Sequence, residues 1–518
     1  MLIKQITTAV VGIALAAGAV ACNSDNITKL NTDPNNPTSA PPGPVFTQAV
    51  RNSAATFVGN NFSLRQTEFL VQHWAEVQYP DEDRYARLNA ASTAGTFNGA
   101  YSSSSANAGQ LVNLSKLIGQ GLAQKNAAIY GPAQVLTVWN YDYLTDTWGD
   151  IPYSQALKAD SGINTPQYDA QKDIYASFFK ILNQVPVDMA AATLPGYASA
   201  DPMYSGNLAS WEKFANSLHA RLAMRIINVD PTTAAAELTK AFSAPGGVFQ
   251  SNADMAKLNW PGDGIYDNPI TSNFSSRDDH RVSNTFYNIL SSNNDPREPI
   301  FMQPTIAYQQ GKSTQKYAGM PNGLDASTAS TYFSISSRPG TIFWPGATPS
   351  GTIGTAANKK NPSYLMTYAE LAFIQAEAKE RGLGGLTGSA ASYYNAGITA
   401  SMNQWGVTDA AAIAAYLAQP SVAYQGGTAG LKQIALQKYI ALTTDGAQTW
   451  AEWRRTCVPS ISPGPAAVVN YIPRRFYYST TEASVNGTNL AAAIARQGPD
   501  NFATHVWWDV PANAPTCQ

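Results

Sequence analysis

The sequence predicts a mainly α protein built from helical hairpins, interrupted by one long irregular insertion. Three observations carry this. Apolar residues recur at three- and four-residue spacing over much of 45–243 and 361–457. The stretch between them, 244–360, is dense in Gly, Pro, Asn and Ser and shows little long periodicity. A chain of 518 residues with 44% hydrophobic content can bury a large core without a metal or disulfide to hold it.

The helical elements follow in order. Val135, Val138, Trp139, Tyr143 and Trp148 form one stripe. Ile174, Phe178, Ile181, Leu182 and Val185 form a second, with Asp169 ahead of it and Lys172 and Asp173 in its first turn. Trp211, Phe214, Leu218, Leu222 and Ile226 form a third, for which Asn207 or Ser210 suits the N-cap. After the insertion, a helix is expected over 363–381, where Leu365, Ala369, Ala372 and Ala376 share a face. Further helices are expected over 390–405 and 431–455, and the tail 458–518 is mixed. Alanine on the apolar stripes lets helices approach closely. Paired helices of about 15–20 residues are the unit of a tetratricopeptide-like solenoid, although no clean 34-residue repeat is present. The insertion reads as loops, and a loop region this long is usually functional.

The N-terminus reads as a targeting segment. Lys4 precedes a run of apolar or small residues that ends at Ala19-Val20-Ala21-Cys22. The run is about 15 residues long, short of the roughly 20 that span a bilayer. Residues 1–21 are therefore expected to be a lipoprotein signal peptide, with cleavage before Cys22 and acylation of that residue. The competing reading is a plain signal peptide followed by an incidental cysteine. Residues 22–44, polar and Pro-rich, read as a flexible leader from the lipid to one domain over 45–518. Export implies an oxidising compartment. There Cys457 and Cys517 can pair or remain free thiols, and spacing alone does not choose.

Composition narrows the function. Lys+Arg is 33 and Asp+Glu is 35, a net charge of −2, which argues against nucleic-acid binding. Charged residues are only 13%, while aromatics reach 11%, with 26 Tyr and 11 Trp. Such a surface suits an uncharged polar ligand. A sugar ring offers an apolar C–H face and a rim of hydroxyls. Aromatic rings cover the face, and amides and hydroxyls satisfy the rim. Loop residues of these types are the candidates for ligand contact: Tyr79, Trp260, Tyr266, Asn268, Phe274, Tyr332 and Trp344.

Several blocks recur in a known order. They are Leu30-Asn-Thr-Asp-Pro-Asn-Asn-Pro-Thr38, Asp146-Thr-Trp-Gly-Asp-Ile-Pro-Tyr153 and Tyr168-Asp-Ala-Gln-Lys-Asp-Ile-Tyr175. Trp211-Glu-Lys-Phe-Ala-Asn-Ser-Leu218 follows, with Arg221-Leu-Ala-Met-Arg225. Then come Tyr364-Leu-Met-Thr-Tyr-Ala-Glu370, Ala376-Glu-Ala378, Trp450-Ala-Glu-Trp-Arg-Arg455 and Val506-Trp-Trp-Asp509. With the lipoprotein Cys22, this ordered set resembles the SusD/RagB family of nutrient-binding outer-membrane lipoproteins, in its starch-binding branch. The resemblance implies a SusD-like helical fold with a ligand-facing irregular part. It implies a SusC-like TonB-dependent transporter as partner and a glycan or peptide as ligand. It also implies a lipid-anchored, outward-facing place at the outer membrane. The motif residues themselves read as scaffold: Trp148, Trp211, Trp450 and Trp453 as core, Trp507 and Trp508 as packing for the C-terminus. Asp146, Asp150, Arg221 and Arg454 read as caps or ion pairs.

Enzyme signatures are absent. The four histidines, His73, His219, His280 and His505, form no zinc-protease motif, and there is no nucleophile elbow. Gly311-Lys-Ser313 lacks the glycine that a phosphate loop requires, because Ile306 stands in its place. His280, after Arg277, Asp278 and Asp279, is expected on a solvated loop. Calcium through Asp33, Asp263 or Asp267 lacks EF-hand spacing. No catalytic residue, cofactor or metal site is expected. The leading function is capture of a nutrient oligomer, foremost a glycan, for the transporter. The alternatives are a protein-binding helical scaffold and, third, a surface glycoside hydrolase.

Intact mass of the membrane-extracted protein tests the N-terminal reading. A chain beginning at Cys22 with added acyl mass is expected; an unmodified Cys22 rejects lipidation.

Overall fold

The computed structural model describes residues 41–102, 109–274, 277–344, 359–510 and 517. The signal peptide, Cys22 and Asp33 lie outside them, as does all but the end of the leader. Helix α1 (Pro42–Phe57) opens at Pro42, within the expected leader, because proline at the first helical position has no N–H to leave unpaired.

An irregular π-helical turn, Asn60–Thr67, follows α1 and leads to the short strand β1 (Trp74–Glu76). Helices α2 (Ala90–Tyr101), α3 (Gln110–Ala123) and α4 (Ala127–Trp148) come next. Strands β2 (Ile151–Pro152) and β3 (Tyr168–Asp169) pair antiparallel before α5 (Gln171–Ala190), α6 (Leu208–Arg225) and α7 (Pro231–Ser243). Helices α3 and α4 pack as a hairpin, α5 packs against α6, and α6 against α7. The Asn126 side chain caps α4 by accepting from the Ala128 N–H at 3.0 Å, and Asn207 caps α6 by accepting from Ser210 at 3.3 Å.

Beyond the insertion, two expectations need correction. Residues Ser363–Met366 are strand β6, and the helix α8 begins only at Tyr368 (Tyr368–Glu380). Thr367 caps it, its hydroxyl accepting from the Glu370 N–H. Leu365 thus belongs to a buried strand, whose apolar run periodicity alone cannot tell from helix. Helix α9 (Ala390–Gln404) packs on α8. The expected helix over 431–455 is two, α10 (Gly427–Ala441) and α11 (Gly446–Thr456). Asp445 breaks the run by capping α11, accepting from the Gln448 N–H at 3.2 Å.

The insertion is less irregular than its composition. Strand β4 (Ala256–Leu258) pairs with β6, and β5 (His280–Val282) pairs with β1, so the first part of the insertion is stitched to the body at two places. It also carries a helix, Asn284–Ser292, whose Phe286 and Leu290 are buried.

A seam of buried charge joins the N-terminal hairpins to the C-terminal helices. Arg221 and Arg225 lie one turn apart on α6, so both face the same way. Arg221 grips Glu370 of α8 with two hydrogen bonds, 2.7 and 2.6 Å, and lies 3.7 Å from Asp142 of α4. Arg225 reaches Glu452 of α11 at 2.8 Å and Asp146 of α4 at 3.1 Å. Arg455 holds Glu377 with two bonds and shares Glu452 with Lys438. Opposing charges hold Glu452 well below the usual carboxylate range despite its burial.

The tail closes over this seam. The Trp508 indole N–H and the Tyr175 hydroxyl both donate to Asp146 Oδ1, at 2.6 and 2.7 Å. The Arg454 guanidinium lies over the Trp450 and Trp508 rings, 3.7 and 4.6 Å from their centroids. Gly149 ends α4 at φ +82°, where a Cβ would strike the Gln497 amide. That amide accepts from the Asp150 N–H and donates to the Trp148 carbonyl. Cys457 and Cys517 are joined in a disulfide, Cα atoms 5.1 Å apart.

Removing one partner of a buried pair strands the other charge, at a cost of about 3–5 kcal/mol. Glu370→Ala is expected to lower unfolding free energy by about that much in urea denaturation. A loss under about 1 kcal/mol would show that Arg221 does not depend on Glu370.

Candidate functional site

Two clefts open side by side on one face. The first, about 1210 Å³, is bounded by the Asn60–Thr67 turn, by α2 and by the loop around Ile265. The second, about 970 Å³, lies under Tyr79 and reaches Arg277 and Asp279 at the start of β5. Arg65, Glu82 and Arg87 line both and form their common wall.

The local sequence explains the walls. Leu64 N–H donates to Gly59 O, the wider spacing of a π turn, a distortion frequent at functional sites. Ser63 anchors the turn from behind, donating to Thr444 O and accepting from the Gly446 N–H. This leaves Asn60, Asn61 and Gln66 at the cleft, with Ser92, Thr96 and Asn98 of α2 across from them. Amides and hydroxyls therefore dominate the first lobe. The acids there are paired: Arg65 holds Glu82 with two hydrogen bonds, and Lys359 holds Asp267 at 2.6 Å. Arg87 is exposed and takes part in no ion pair among the described residues.

Tyr79 is the aromatic of this face. Its side chain is 71% exposed, and its backbone sits at φ +57°, a conformation a bulky residue seldom adopts. The turn that follows holds it there, with Arg84 and Ala86 N–H donating to Pro80 and Asp81 carbonyls. Ile265, 79% exposed, supplies an apolar surface to the first lobe. Tyr266, beside it, is 37% exposed, but one ring face is covered by the Arg51 guanidinium at 3.5 Å.

The remaining sequence candidates do not meet here. Trp260 is buried and donates its indole N–H to Ser363 Oγ at 2.9 Å. Phe274 and Trp344 stack on each other in the core, centroids 4.9 Å apart. Asn268 is buried and accepts from the Ile270 and Thr271 N–H groups, beside an inner cavity of about 40 Å³ with room for a water or two. Tyr332 is half-buried against the cluster of Leu324 and Ala329 and does not line either cleft. The physical reason for the three large aromatics, Trp260, Phe274 and Trp344, is that strand pairing pulls the insertion onto the body, so they pack inward. Of the calcium candidates, Asp263 accepts the Ile265 and Tyr266 N–H groups in its own turn, and Asp267 is held by Lys359. Composition missed the cleft residues Asn60, Asn61, Arg65 and Arg87 because they lie beside helices rather than in the Gly- and Pro-rich insertion. The one available signal was the polar run Gly59-Asn-Asn61 between apolar segments.

His280 is not on a solvated loop. It is buried on β5, opposite Glu76 of β1, between the Phe69 and Phe274 rings. Glu76, Asp279 and His280 each place one ligand-type atom within 4.8 Å of the other two, so among the described residues they are the group able to hold a metal. Burial and the nearby Glu82, Asp279 and Asp83 carboxylates push the Glu76 carboxyl well up, only partly offset by Arg277. Burial pushes Asp83 to about 7, against hydrogen bonds from Asn322 and Gly323. Burial would also raise Asp279, but the charges and hydrogen bonds of His280 and Arg277 outweigh it and hold it low.

Helical hairpins locked by buried ion pairs, an insertion stitched to them by short strands, and an open polar cleft where the two meet define a SusD-like architecture. A family model for SusD-like proteins, described as starch-binding and associating with the outer membrane, matches residues 34–479, and the chain belongs to that family. A chitin-binding SusD homologue from Flavobacterium johnsoniae is 26% identical, with a TM-score of 0.71 over 90% of this chain and 99% of its own. A SusD homologue from Bacteroides uniformis is 27% identical, with a TM-score of 0.72 over the same shares. One from Parabacteroides distasonis, 23% identical, shares the fold at a TM-score of 0.76 over 92% of this chain and all of its own. No curated protein matches the chain.

The raised Glu76 carboxyl sets a pH dependence. A carboxyl raised in the folded state destabilises the fold above its folded pKa, where it is ionised in both states. The penalty vanishes below the unfolded value near 4.3. With chelator present, Glu76→Gln is expected to melt about 2 °C or more above the wild type at pH 8, and level with it at pH 4. A gap that does not change with pH would contradict the assignment.

Proposed function

We propose that this protein is a non-enzymatic, lipid-anchored outer-membrane lipoprotein. In this reading it captures a glycan oligomer in the double cleft and passes it to a SusC-like TonB-dependent transporter. The observation that carries the proposal is the pairing of an exposed, backbone-strained Tyr79 with a cleft lined by amides and hydroxyls. That set matches the apolar face and hydroxyl rim of a sugar. The family description, starch-binding at the outer membrane, and the 26%-identical chitin-binding homologue support a glycan over a peptide. Outer-membrane placement is further supported by the lipoprotein-type N-terminus. No helix among the described residues is long and apolar enough to cross a membrane.

Two features support binding without turnover. Glu82 and Asp267 are both engaged by cations, and a carboxylate held as an ion is a poor general acid. The relatives described above are named as binding proteins or SusD homologues, not as enzymes.

The test is titration of the purified protein with starch, chitin and xylan oligosaccharides and with oligopeptides, following binding and product formation together. Saturable glycan binding without product is expected. Tyr79→Ala is expected to weaken it about five- to tenfold, the loss of ~1 kcal/mol of ring stacking, with the melting temperature unchanged. Product release would favour a hydrolase. Peptide binding alone would move the ligand class, and co-purification of a protein with no small ligand bound would favour a scaffold.

A further inference from the structure

Behind the Tyr79 lobe, β1 and β5 set Glu76 directly opposite His280, with Asp279 the preceding residue on the chain. Opposed residues of an antiparallel pair project from the same face. All three side chains are buried, and their ligand atoms lie within 4.8 Å of one another. Among the described residues neither Glu76 oxygen accepts a hydrogen bond, and His280 Nε2 has no partner. The other ring nitrogen, Nδ1, lies 2.9 Å from Asp279 Oδ1. Arg277 Nη2 is 3.8 Å from Glu76, but that guanidinium is already bound to Asp279.

The charges do not balance. Glu76, Glu82, Asp83 and Asp279 interact across this small volume, and the guanidiniums that face them are Arg65 and Arg277. With the His280 imidazole neutral, as a metal ligand is, and all four carboxyls ionised, the two guanidiniums leave an excess of two negative charges in a low-dielectric setting. A buried charge of that kind requires a proton or a cation. A buried carboxylate with both oxygens lacking hydrogen bonds is also the group a fold built only for stability would replace.

We propose that Glu76, Asp279 and His280 form a binding site for a divalent transition cation with mixed nitrogen and oxygen ligands. An imidazole with two carboxylates is a zinc-type set, whereas calcium takes six to eight oxygens. Zinc bond lengths of about 2.0–2.2 Å place tetrahedral ligands roughly 3.3–3.6 Å apart, so side-chain shifts of about an ångström close the set. A divalent ion cancels the two-charge excess. The entry path is the cleft itself, because Asp279, Glu82 and Arg277 line the second lobe. Once bound, the ion ties β1 to β5 beneath Tyr79 and braces that wall of the cleft.

The test uses the untagged purified protein, stripped with chelator, dialysed and titrated with Zn²⁺ alone. Saturable uptake of about one ion per chain is expected, with a rise in melting temperature. Glu76→Gln should weaken uptake at least about tenfold while its chelator-treated melting temperature is no lower than the wild type's. His280→Gln serves as a second variant with the same expected loss. Equal zinc affinity in wild type and Glu76→Gln would overturn the proposal, and would place the ion at an outer group such as His505. Absence of saturable binding would also overturn it, leaving protons to balance the cluster. Saturation by Ca²⁺ but not by Zn²⁺ would overturn the nitrogen ligand.

Discussion

The grip of Arg221 and Arg225 on carboxylates from three other helices is the constraint on which the architecture rests. A guanidinium fork matches a carboxylate in few orientations. Sliding α6 by one turn against α4, α8 or α11 would leave a buried arginine facing apolar side chains. The net stabilisation from such pairs is modest, since desolvation offsets most of the attraction. Their effect is selective: the observed register sets both arginines against carboxylates of three helices, and a one-turn slide would part them. Tertiary contacts between residues some 150 and 230 positions apart are thereby fixed.

This use of charge also accounts for the composition. A chain with only 13% charged residues still buries Arg221, Arg225, Arg297, Arg454, Arg455 and Arg475. Much of its ionic complement lies inside, which leaves amides and hydroxyls to face the cleft. The low charge that suggested a polar, uncharged ligand thus has a structural cause as well as a functional one.

The helical body was legible because its stripes are long, and burial follows periodicity where a helix has one wet side. Trp148, Trp211, Trp450 and Trp453 read as core from spacing, and all are buried. Short elements were not legible. Ser363–Met366 is too brief and too apolar to separate from the helix after it, and only its pairing with β4 makes it a strand. The candidate site was the least legible part. Trp260, Phe274 and Trp344 sit in loop-like sequence yet pack inward, because long-range pairing decides which side of a loop faces water. Tyr79 differs in being followed by Pro80 and a run of charged residues that cannot be buried together, and it alone of the proposed aromatics stands well out from the surface. The Glu76–His280 pairing spans about 200 residues and leaves no local trace in either segment.

The Cys457–Cys517 bond makes the C-terminal tail a covalent ring rather than a free end. The ring begins one residue after α11 and closes beside the Trp453 carbonyl, so its knot sits on the same helix that carries Glu452 and Arg455. A single peptide cleavage anywhere within the ring leaves both fragments tied to the body until the sulfurs are reduced. The tail that supplies Trp508 to the ionic seam is thus topologically retained after a single cut.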